Sequence, residues 1–288
     1  MISLWMFPSL FLLIFLGFPV AFSLIGIAFV FGIFTFGDAV FFQFISKIEG
    51  IASNFILAAV PLFVFMGSML ERSGIAQQLF SAIHMWTRKL PGGLAIGAII
   101  MCIIFAASTG VIGATESVVG LLAIPAMLKH KYSHSLISGT ICAGGSLGTI
   151  IPPSVVVVVL GPIADVSIGD LMVGMIFPGL ILALLYILYI LILCIVKPEN
   201  GPTIVEKDEI DEQSFNQKIF ITFKALVPPH LMIFAVLGSI MLGWAAPTEA
   251  AALGAAGSLI LSLIYKKFTL KTFKEALIKT ITITATVS

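Results

Sequence analysis

Charge is scarce in this chain of 288 residues: Asp, Glu, Lys and Arg together make up 10% of it, against 59% hydrophobic residues. A soluble domain carries roughly a quarter of its residues as charges. With a mean hydropathy of +1.17, the composition excludes an ordinary soluble domain and favours lipid as the main solvent. Fifteen basic residues nearly balance fourteen acidic ones, so nothing suggests a nucleic-acid partner. Cysteine is almost missing as well. Cys102, Cys142 and Cys194 lie far apart in apolar sequence, match neither a disulfide framework nor a metal spacing, and read as small core residues. The histidines form no ligand pair, because His130 and His134 flank Lys131 at an apparent helix end. A basic amino-terminal region is lacking too, and the first apolar run outlasts the about 7–15 residues of a signal-peptide core. That segment reads as retained in the membrane. There is no GxxxxGK[ST] phosphate loop.

What is present is apolar sequence punctuated at telling places. No charge occurs from Met1 to Gly37, which is more than one crossing of a core about 30 Å thick. Gly17-Phe18-Pro19 divides that run into two short helices, about 2–16 and 19–34; a single long tilted helix is the other reading. Residues 38–54, with Lys47 and Glu49, suit an interfacial segment. A span at 55–70 contains Pro61, and the amphipathic run IAQQLFSAIHMWTRK suits a helix along the membrane surface. Pro91-Gly92-Gly93 opens the segment to Leu128, interrupted by Ser108-Thr109-Gly110 and by Gly113-Ala114-Thr115-Glu116. Two short apolar halves around a small polar centre predict a re-entrant hairpin; a kinked single span is the alternative.

The next segment carries the strongest signal. In GTICAGGSLGTIIPPS (139–154), Gly144, Gly145 and Gly148 loosen the backbone, and Pro152 and Pro153 remove two donors in succession. Lipid offers no partner for freed backbone groups, so such a break survives only where protein or a water-filled cavity covers it. Secondary transporters build ion and substrate sites from such broken helices near the bilayer midplane.

A span at 171–196 follows, with Asp165 and Asp170 in the loop before it. Residues 197–218 form the one long polar stretch, whose acidic cluster of Glu206, Asp208, Glu209, Asp211 and Glu212 reads as a solvated loop. Spans at about 226–242 and 247–263 precede a lysine-rich segment carrying Lys266, Lys267, Lys271, Lys274 and Lys279. The basic residues gather on one side of the predicted topology, which makes that side cytoplasmic and the amino terminus outward. Leu16-Gly17-Phe18-Pro19 resembles Leu242-Gly243-Trp244-Ala245-Ala246-Pro247, and Pro19 to Gly26 repeats the spacing of Pro247 to Gly254. That is the pattern of inverted repeats, with a second copy barely begun at Ser288; a C-terminally truncated chain is therefore expected.

Several blocks together resemble the large membrane subunit of tripartite ATP-independent periplasmic (TRAP) transporters. They are Gly17-Phe18-Pro19, VPLFVFMGSMLERSG (60–74), GGLAIGAII (92–100), AASTGVIGATESVVG (106–120), the GTICAGGSLGTIIPPS block and PTEAAALG (247–254). The resemblance implies an all-α polytopic membrane protein of the elevator type, with inverted repeats, a re-entrant hairpin and a broken helix, the second repeat being incomplete. It implies scaffold and interfacial helices in 1–90 and half of a transport domain in 91–196: hairpin at about 92–128, broken helix at about 134–162, helix at about 171–196. A polar cytoplasmic loop (197–224) and the scaffold helices that start repeat 2 (225–288) would follow.

The function so implied is sodium-coupled import of organic acids, dicarboxylate-like or related, in the bacterial inner membrane. The implied partners are a small TRAP membrane subunit and a periplasmic substrate-binding protein; no cofactor is implied beyond sodium as coupling ion. By resemblance, sodium falls to Ser108, Thr109 and Gly110 on the hairpin and to Gly148, Ile151 and Pro153 on the broken helix. Substrate falls to Thr115, Gly145 and Ser154. Ser154 either bonds substrate or caps the next half-helix, and Ser108 and Thr109 either serve the ion or bond back to their own helix. Glu116, an intramembrane carboxylate, either senses ion or proton, meets a partner outside this chain, or is solvated near the tip. Glu249 is expected to cap its helix. The hairpin tip departs from the family, where many members have a glycine followed by two serines, and this puts the substrate subclass in doubt. Other readings are a binding-protein-independent sodium/dicarboxylate carrier and a non-transporting membrane fragment. An intramembrane enzyme lacks the paired catalytic groups it would need.

Overall fold

A computed structural model describes residues 2–110, 112–203 and 214–287; among them the secondary structure is helix and turn, without a strand. The acidic cluster Glu206, Asp208, Glu209, Asp211 and Glu212 lies outside the described residues. The chain forms two compact units, Met1–Asn54 and Phe55–Ser288. These units do not follow the functional divisions drawn from the sequence, because the helices of 55–90 pack with those that come later.

The first unit holds α1 (Ile2–Phe15), α2 (Val20–Phe36) and α3 (Ala39–Ala52). The charge-free run is thus two short helices, broken at Gly17, whose φ is 89°. Pro19 stands at the N-cap of α2, where a missing N–H is no loss. Phe29 meets Phe41 and Phe44 edge-on, with centroids 5.2 and 5.3 Å away, and so ties α3 to α2.

The second unit begins with a single 3-10 turn, Phe55–Ala58, and continues through α4 (Ala59–Arg72), α5 (Ile75–Thr87), α6 (Gly93–Thr109), α7 (Ile112–Lys129), α8 (His134–Ile150), α9 (Val155–Ala164), α10 (Ile168–Val196), α11 (Phe215–Met241), α12 (Pro247–Ile264) and α13 (Leu270–Val287). Pro61 does not interrupt α4, because it sits in the first turn, where its N–H would have no partner anyway. His130 and His134 fall on either side of the turn between α7 and α8, where Lys131 has a φ of 58°. By length and composition, four segments among the described residues can cross a bilayer: Phe55–Arg72, α10, α11 and α12. The pair α8 and α9, bent by 44°, makes a fifth.

The core is α6, in which every residue but Ile100 and Ile103 is buried. Around it stand α4, α5, α7, α8, α10 and α11. Large apolar side chains on α10 such as Phe177, Leu184, Tyr189 and Ile192 stay exposed, as suits a lipid-facing helix. Contacts sort the helix ends into two groups. At one end, here called the base, Gly92 N–H donates to the Gly201 carbonyl (3.0 Å) and Ser133 N–H to that of Asn200 (3.0 Å). There Leu94 N–H also donates to the Tyr132 hydroxyl (3.2 Å). Burial pushes the Tyr132 phenol up to about 12, so it accepts that bond as a neutral group. Hence α6 starts and α7 ends at the same end, and the pair is a hairpin that enters and leaves on one side. At the opposite end Ile56, Asp165, Ile168, Ile240, Ala245 and Pro247 surround one cavity of about 480 Å³.

One segment expected to be a loop is partly helical. The loop expected over 197–224 ends early: α11 begins at Phe215, where the Gln217 side chain accepts from Ser214 N–H (3.0 Å) and closes the first turn. The lysine-rich end is α13, held on α4 by ion pairs of Arg72 with Glu275 and of Lys279 with Glu71. Glu249 does take the expected role, its carboxylate accepting from Ala246 N–H at 2.9 Å.

Gly93 lets the start of α6 lie on the end of α5. A Cβ built there would stand 2.0 Å from the Thr87 carbonyl oxygen, whereas one on Gly139 would meet nothing within 4 Å. Gly93→Ala is expected to cost about 3 kcal/mol, and Gly139→Ala to stabilise α8 by up to about 1 kcal/mol. Thermal unfolding of both variants in detergent checks this, with opposite shifts in Tm expected.

Candidate functional site

An α-helix needs the N–H of residue i for the carbonyl of residue i−4. Pro152 and Pro153 therefore deprive the carbonyls of Gly148 and Thr149 of their donors. Ile151 N–H, just before the prolines, still reaches the Leu147 carbonyl at 2.8 Å. So α8 stops where its donors stop, and α9 restarts at Val155. On the neighbouring helix α10, Gly179 admits the buried end of α8: a Cβ there would come within 3.2 Å of Ile151 and 3.3 Å of Ile150.

The hairpin tip arrives at this same break. Gly110, the C-cap of α6, has a left-handed φ of 62°, a conformation costly for any residue with a Cβ. Its N–H closes α6 on the Ala106 carbonyl at 3.0 Å, and its own carbonyl faces Val155 N–H at 3.4 Å. A Cβ on Gly110 would lie 2.5 Å from the Pro153 carbonyl oxygen. Tip and break thus meet backbone to backbone, and only glycine fits. The depths agree. From the base, α6 rises about 24 Å to Thr109 and α8 about 24 Å to Ile150; Gly179 lies about 26 Å up α10 from Val196, all at 1.5 Å per residue. Tip, break and Gly179 thus share a common height above the base.

Around it the polar atoms are arranged as follows. Ser108 Oγ donates to the Ile104 carbonyl (2.8 Å) and Thr109 Oγ1 to that of Phe105 (2.9 Å). Both hydroxyls thus spend their protons on their own helix, which leaves oxygen lone pairs free for a cation. Thr109 Oγ1 also lies 3.2 Å from Thr115 Oγ1 on the other arm, so the two arms are joined just behind the tip. Ser154 is fully buried. It occupies the N-cap position of α9 without capping it, and among the described residues its hydroxyl has no partner. Leaving a buried hydroxyl unsatisfied costs about 1–3 kcal/mol, so this atom is the one near the break best suited to bond a ligand group.

Of the expected residues, the structure brings Gly110, Pro153 and Ser154 together and sets Ser108, Thr109 and Thr115 directly behind them. Gly148 and Ile151 are buried on the α8 side of the break. Gly145 differs: its open side is filled by Glu116 of α7, whose Cγ would be 2.0 Å from an added Cβ. Gly145 thus packs against the second arm of the hairpin. Two contributors escaped the sequence reading. The Thr149 carbonyl is released by Pro153, and i−4 counting from the proline pair would have found it. Gly67 of α4 lies against the tip, 2.9 Å from Thr109 Cα if given a Cβ; its surrounding sequence carries no signal of this.

If Gly110 alone permits the contact, Gly110→Ala is expected to lift the tip off the break. In a Ser154→Cys background, the buried thiol should then react with a maleimide about tenfold faster or more, the change expected for about 1.4 kcal/mol of easier opening. An unchanged labelling rate counts against this account of the tip.

The sequence matches the family model for the tripartite ATP-independent periplasmic transporter, DctM component, over residues 7–288. Among curated relatives, the C4-dicarboxylate TRAP transporter large permease protein of Pseudomonas aeruginosa is 32% identical, over 81% of this chain and 53% of the relative. The sialic acid TRAP transporter large permease protein of Vibrio cholerae is 31% identical, over 96% of this chain and 62% of the relative. The ectoine/5-hydroxyectoine large permease protein of Ruegeria pomeroyi is 28% identical, over 90% and 58%. The chain thus spans little more than half the length of these relatives. With a helical membrane fold, a hairpin meeting a broken helix, and a family match along nearly its whole length, the chain belongs to the DctM component family of tripartite ATP-independent periplasmic transporters.

Proposed function

We propose that this chain forms part of a permease that imports an organic acid into the cell, coupled to sodium, by an elevator-type movement of the hairpin and broken helix. The observation that carries this reading is the meeting of Gly110 with the Pro153–Val155 break. Sodium is a hard cation that takes oxygen ligands, and the carbonyls of Gly148 and Thr149 with the hydroxyl oxygens of Ser108 and Thr109 offer that chemistry. A substrate carboxylate suits the start of α9, where backbone N–H groups and the helix dipole favour negative charge and the Ser154 hydroxyl awaits a partner. Among the described residues no Arg or Lys lies between Lys89 and Lys129, so dipoles, hydroxyls and sodium do this work on the hairpin side. The relatives' names speak of C4-dicarboxylates, sialic acid and ectoine. All three carry a carboxylate, which is the part this half-site would hold.

The base end holds Arg88 beside Gly93, Lys129 and Lys131 beside Tyr132, and Lys197 beside Asn200, while Asp165 lies at the other. This charge asymmetry favours a cytoplasmic base in the inner membrane and a hairpin entering from the cytoplasm. A small membrane subunit and a periplasmic binding protein complete the proposed transporter. Uptake that needs the added binding protein separates it from a binding-protein-independent sodium/dicarboxylate carrier.

Thr109→Val keeps the volume and removes the hydroxyl oxygen. In the assembled transporter reconstituted in proteoliposomes, it is expected to raise the sodium concentration for half-maximal uptake by about tenfold, equivalent to about 1.4 kcal/mol. An unchanged sodium response would refute the ion-site assignment.

A further inference from the structure

Between α8 and α10, on the base side of the break, lies a cavity of about 690 Å³ that the ion and substrate site does not use. Ile99 of α6 lines it from behind. The two helices come together above it, where Ser146 Oγ is 3.4 Å from the Tyr186 hydroxyl. The segments that flank it meet below, where Ser133 N–H donates to the Asn200 carbonyl at 3.0 Å. From Ser133 to Ser146 the chain rises about 20 Å at 1.5 Å per residue. Small residues keep the space open on the α8 side: Gly139 and Ala143 line it, and a Cβ on Gly139 would meet nothing within 4 Å. On the α10 side Leu185 and Tyr189 both line the cavity and remain exposed, so it opens toward lipid.

The lining is ordered along that length. Ser133, Ser135 and Asn200 stand at the base end, and above them the walls are mostly apolar, with Leu136 on α8 and Leu182 and Leu185 on α10. Thr140 is the exception. It lines the cavity about 10 Å above Ser133, is 3% exposed, and among the described residues its hydroxyl has no partner. A hydroxyl so buried is costly to leave unbonded. The mouth is basic: residues 129–133 and 197–201, which meet at Ser133 and Asn200, carry exposed Lys129, Lys131 and Lys197 against one acid, Glu199. A pocket of about 300–1,000 Å³, apolar but for a few placed polar groups, is the usual form of a small-ligand site. One leaflet supplies about 15 Å of a hydrocarbon core about 30 Å thick. A groove about 20 Å long with a polar mouth therefore spans a headgroup boundary and the chains of a single leaflet.

We propose that this groove binds one anionic phospholipid from the leaflet on the base side. Its phosphate lies at the mouth among the lysines and Ser133, one acyl chain runs between α8 and α10, and an ester carbonyl accepts from the Thr140 hydroxyl. Charge selects the class of lipid, since basic residues at a membrane surface favour anionic headgroups. Size selects lipid over protein. A helix about 10 Å across and 20 Å long fills roughly 1,600 Å³, more than twice the cavity, so a helix of another segment or subunit would lie over the groove and leave it unfilled. A single acyl chain is narrow enough to enter. The lipid would hold α8 against α10 where protein contacts between them are sparse, below Ser146 and above Ser133.

The test uses the assembled transporter, with its full-length permease chain, in phosphatidylcholine nanodiscs. The probe is phosphatidylglycerol carrying a diazirine midway along one acyl chain. After illumination, peptide mapping of the wild type is expected to find the label on residues 135–143 and 182–193. Gly139→Leu places a side chain in the groove, about 16 Å along α8 below Ile150, and is expected to cut that labelling about tenfold. Thr140→Val should cut it about fivefold, the share of one hydrogen bond. Lys131→Gln with Lys197→Gln should cut it at least about tenfold while leaving the weaker labelling by the matching phosphatidylcholine probe unchanged. Added phosphatidylglycerol should raise the Tm of the wild type in detergent by binding the folded state and leave that of G139L unshifted. Label found only elsewhere on the protein overturns the proposal, including the case where another segment or subunit covers the groove. Equal labelling by the phosphatidylcholine probe overturns it too, as does a G139L variant labelled like the wild type. Should G139L fail to fold, T140V and the lysine pair, which keep the groove's shape, decide the matter by the same labelling.

Discussion

A backbone group deprived of its helical partner has nowhere to turn in lipid, and the second unit is organised around one place where this happens. Pro152 and Pro153 leave carbonyls on one side of the break, and the start of α9 leaves N–H groups on the other. Closing the break with protein requires another backbone to come within hydrogen-bonding range. Gly110 does so, its carbonyl facing Val155 N–H at 3.4 Å, and it does so only because it lacks a Cβ. The contact is partial: one N–H is met, the Gly148 and Thr149 carbonyls lose their helical donors, and among the described residues the Ser154 hydroxyl has no partner. A fully satisfied break would be a kink. A partly satisfied one, buried and rich in oxygen, has the chemistry the proposed site needs.

The packing that holds this contact follows from the weakness of the hydrophobic drive inside a membrane. Helices there associate by close approach, and small residues at the crossing points permit it. Gly67 brings α4 against Thr109 at the tip, Gly179 brings α10 against the end of α8, and Gly254 of α12 receives Met66 of α4, whose sulfur would lie 2.4 Å from an added Cβ. These approaches are made one turn at a time, so they fix the height of each helix against its neighbour as well as its distance. The common rise of about 24–26 Å from the base, seen in α6, α8 and α10, is what such fixing produces.

How much of this could be read from the chain depends on whether the cause was local. The break was legible, because two adjacent prolines remove donors whatever surrounds them, and so was the hairpin, because a small polar centre between short apolar arms has few other solutions. Glu249 at the start of α12 followed from its place in PTEAA. The start of α11 was missed, since Lys218 and Lys224 look like loop residues until Gln217 is seen closing the first turn on Ser214. The ion pairs that hold the lysine-rich end could not be read either: their partners, Glu71 and Arg72, lie on α4, some two hundred residues earlier. The packing of Gly145 against Glu116 was not legible, because the two are distant in sequence. Local chemistry could be read; pairings between distant segments could not.

The repeated connections bear on the same question from another side. The turn after α1 has Gly17 at a φ of 89° with Pro19 opening α2, and the turn after α11 has Gly243 at 69° with Pro247 opening α12. One helix later the chain again passes through positive φ, at Gly37 (58°) and at Lys266 (55°). Apolar composition explains a chance likeness of letters, but it does not place a left-handed residue after both helices of each pair. Lys266 is the telling case, since a lysine adopts that conformation at a cost that glycine avoids. A residue held there against its preference indicates that the turn is set by the helices it joins. The likeness between the two segments therefore belongs to their backbone course, of which the shared glycines and prolines are the visible trace.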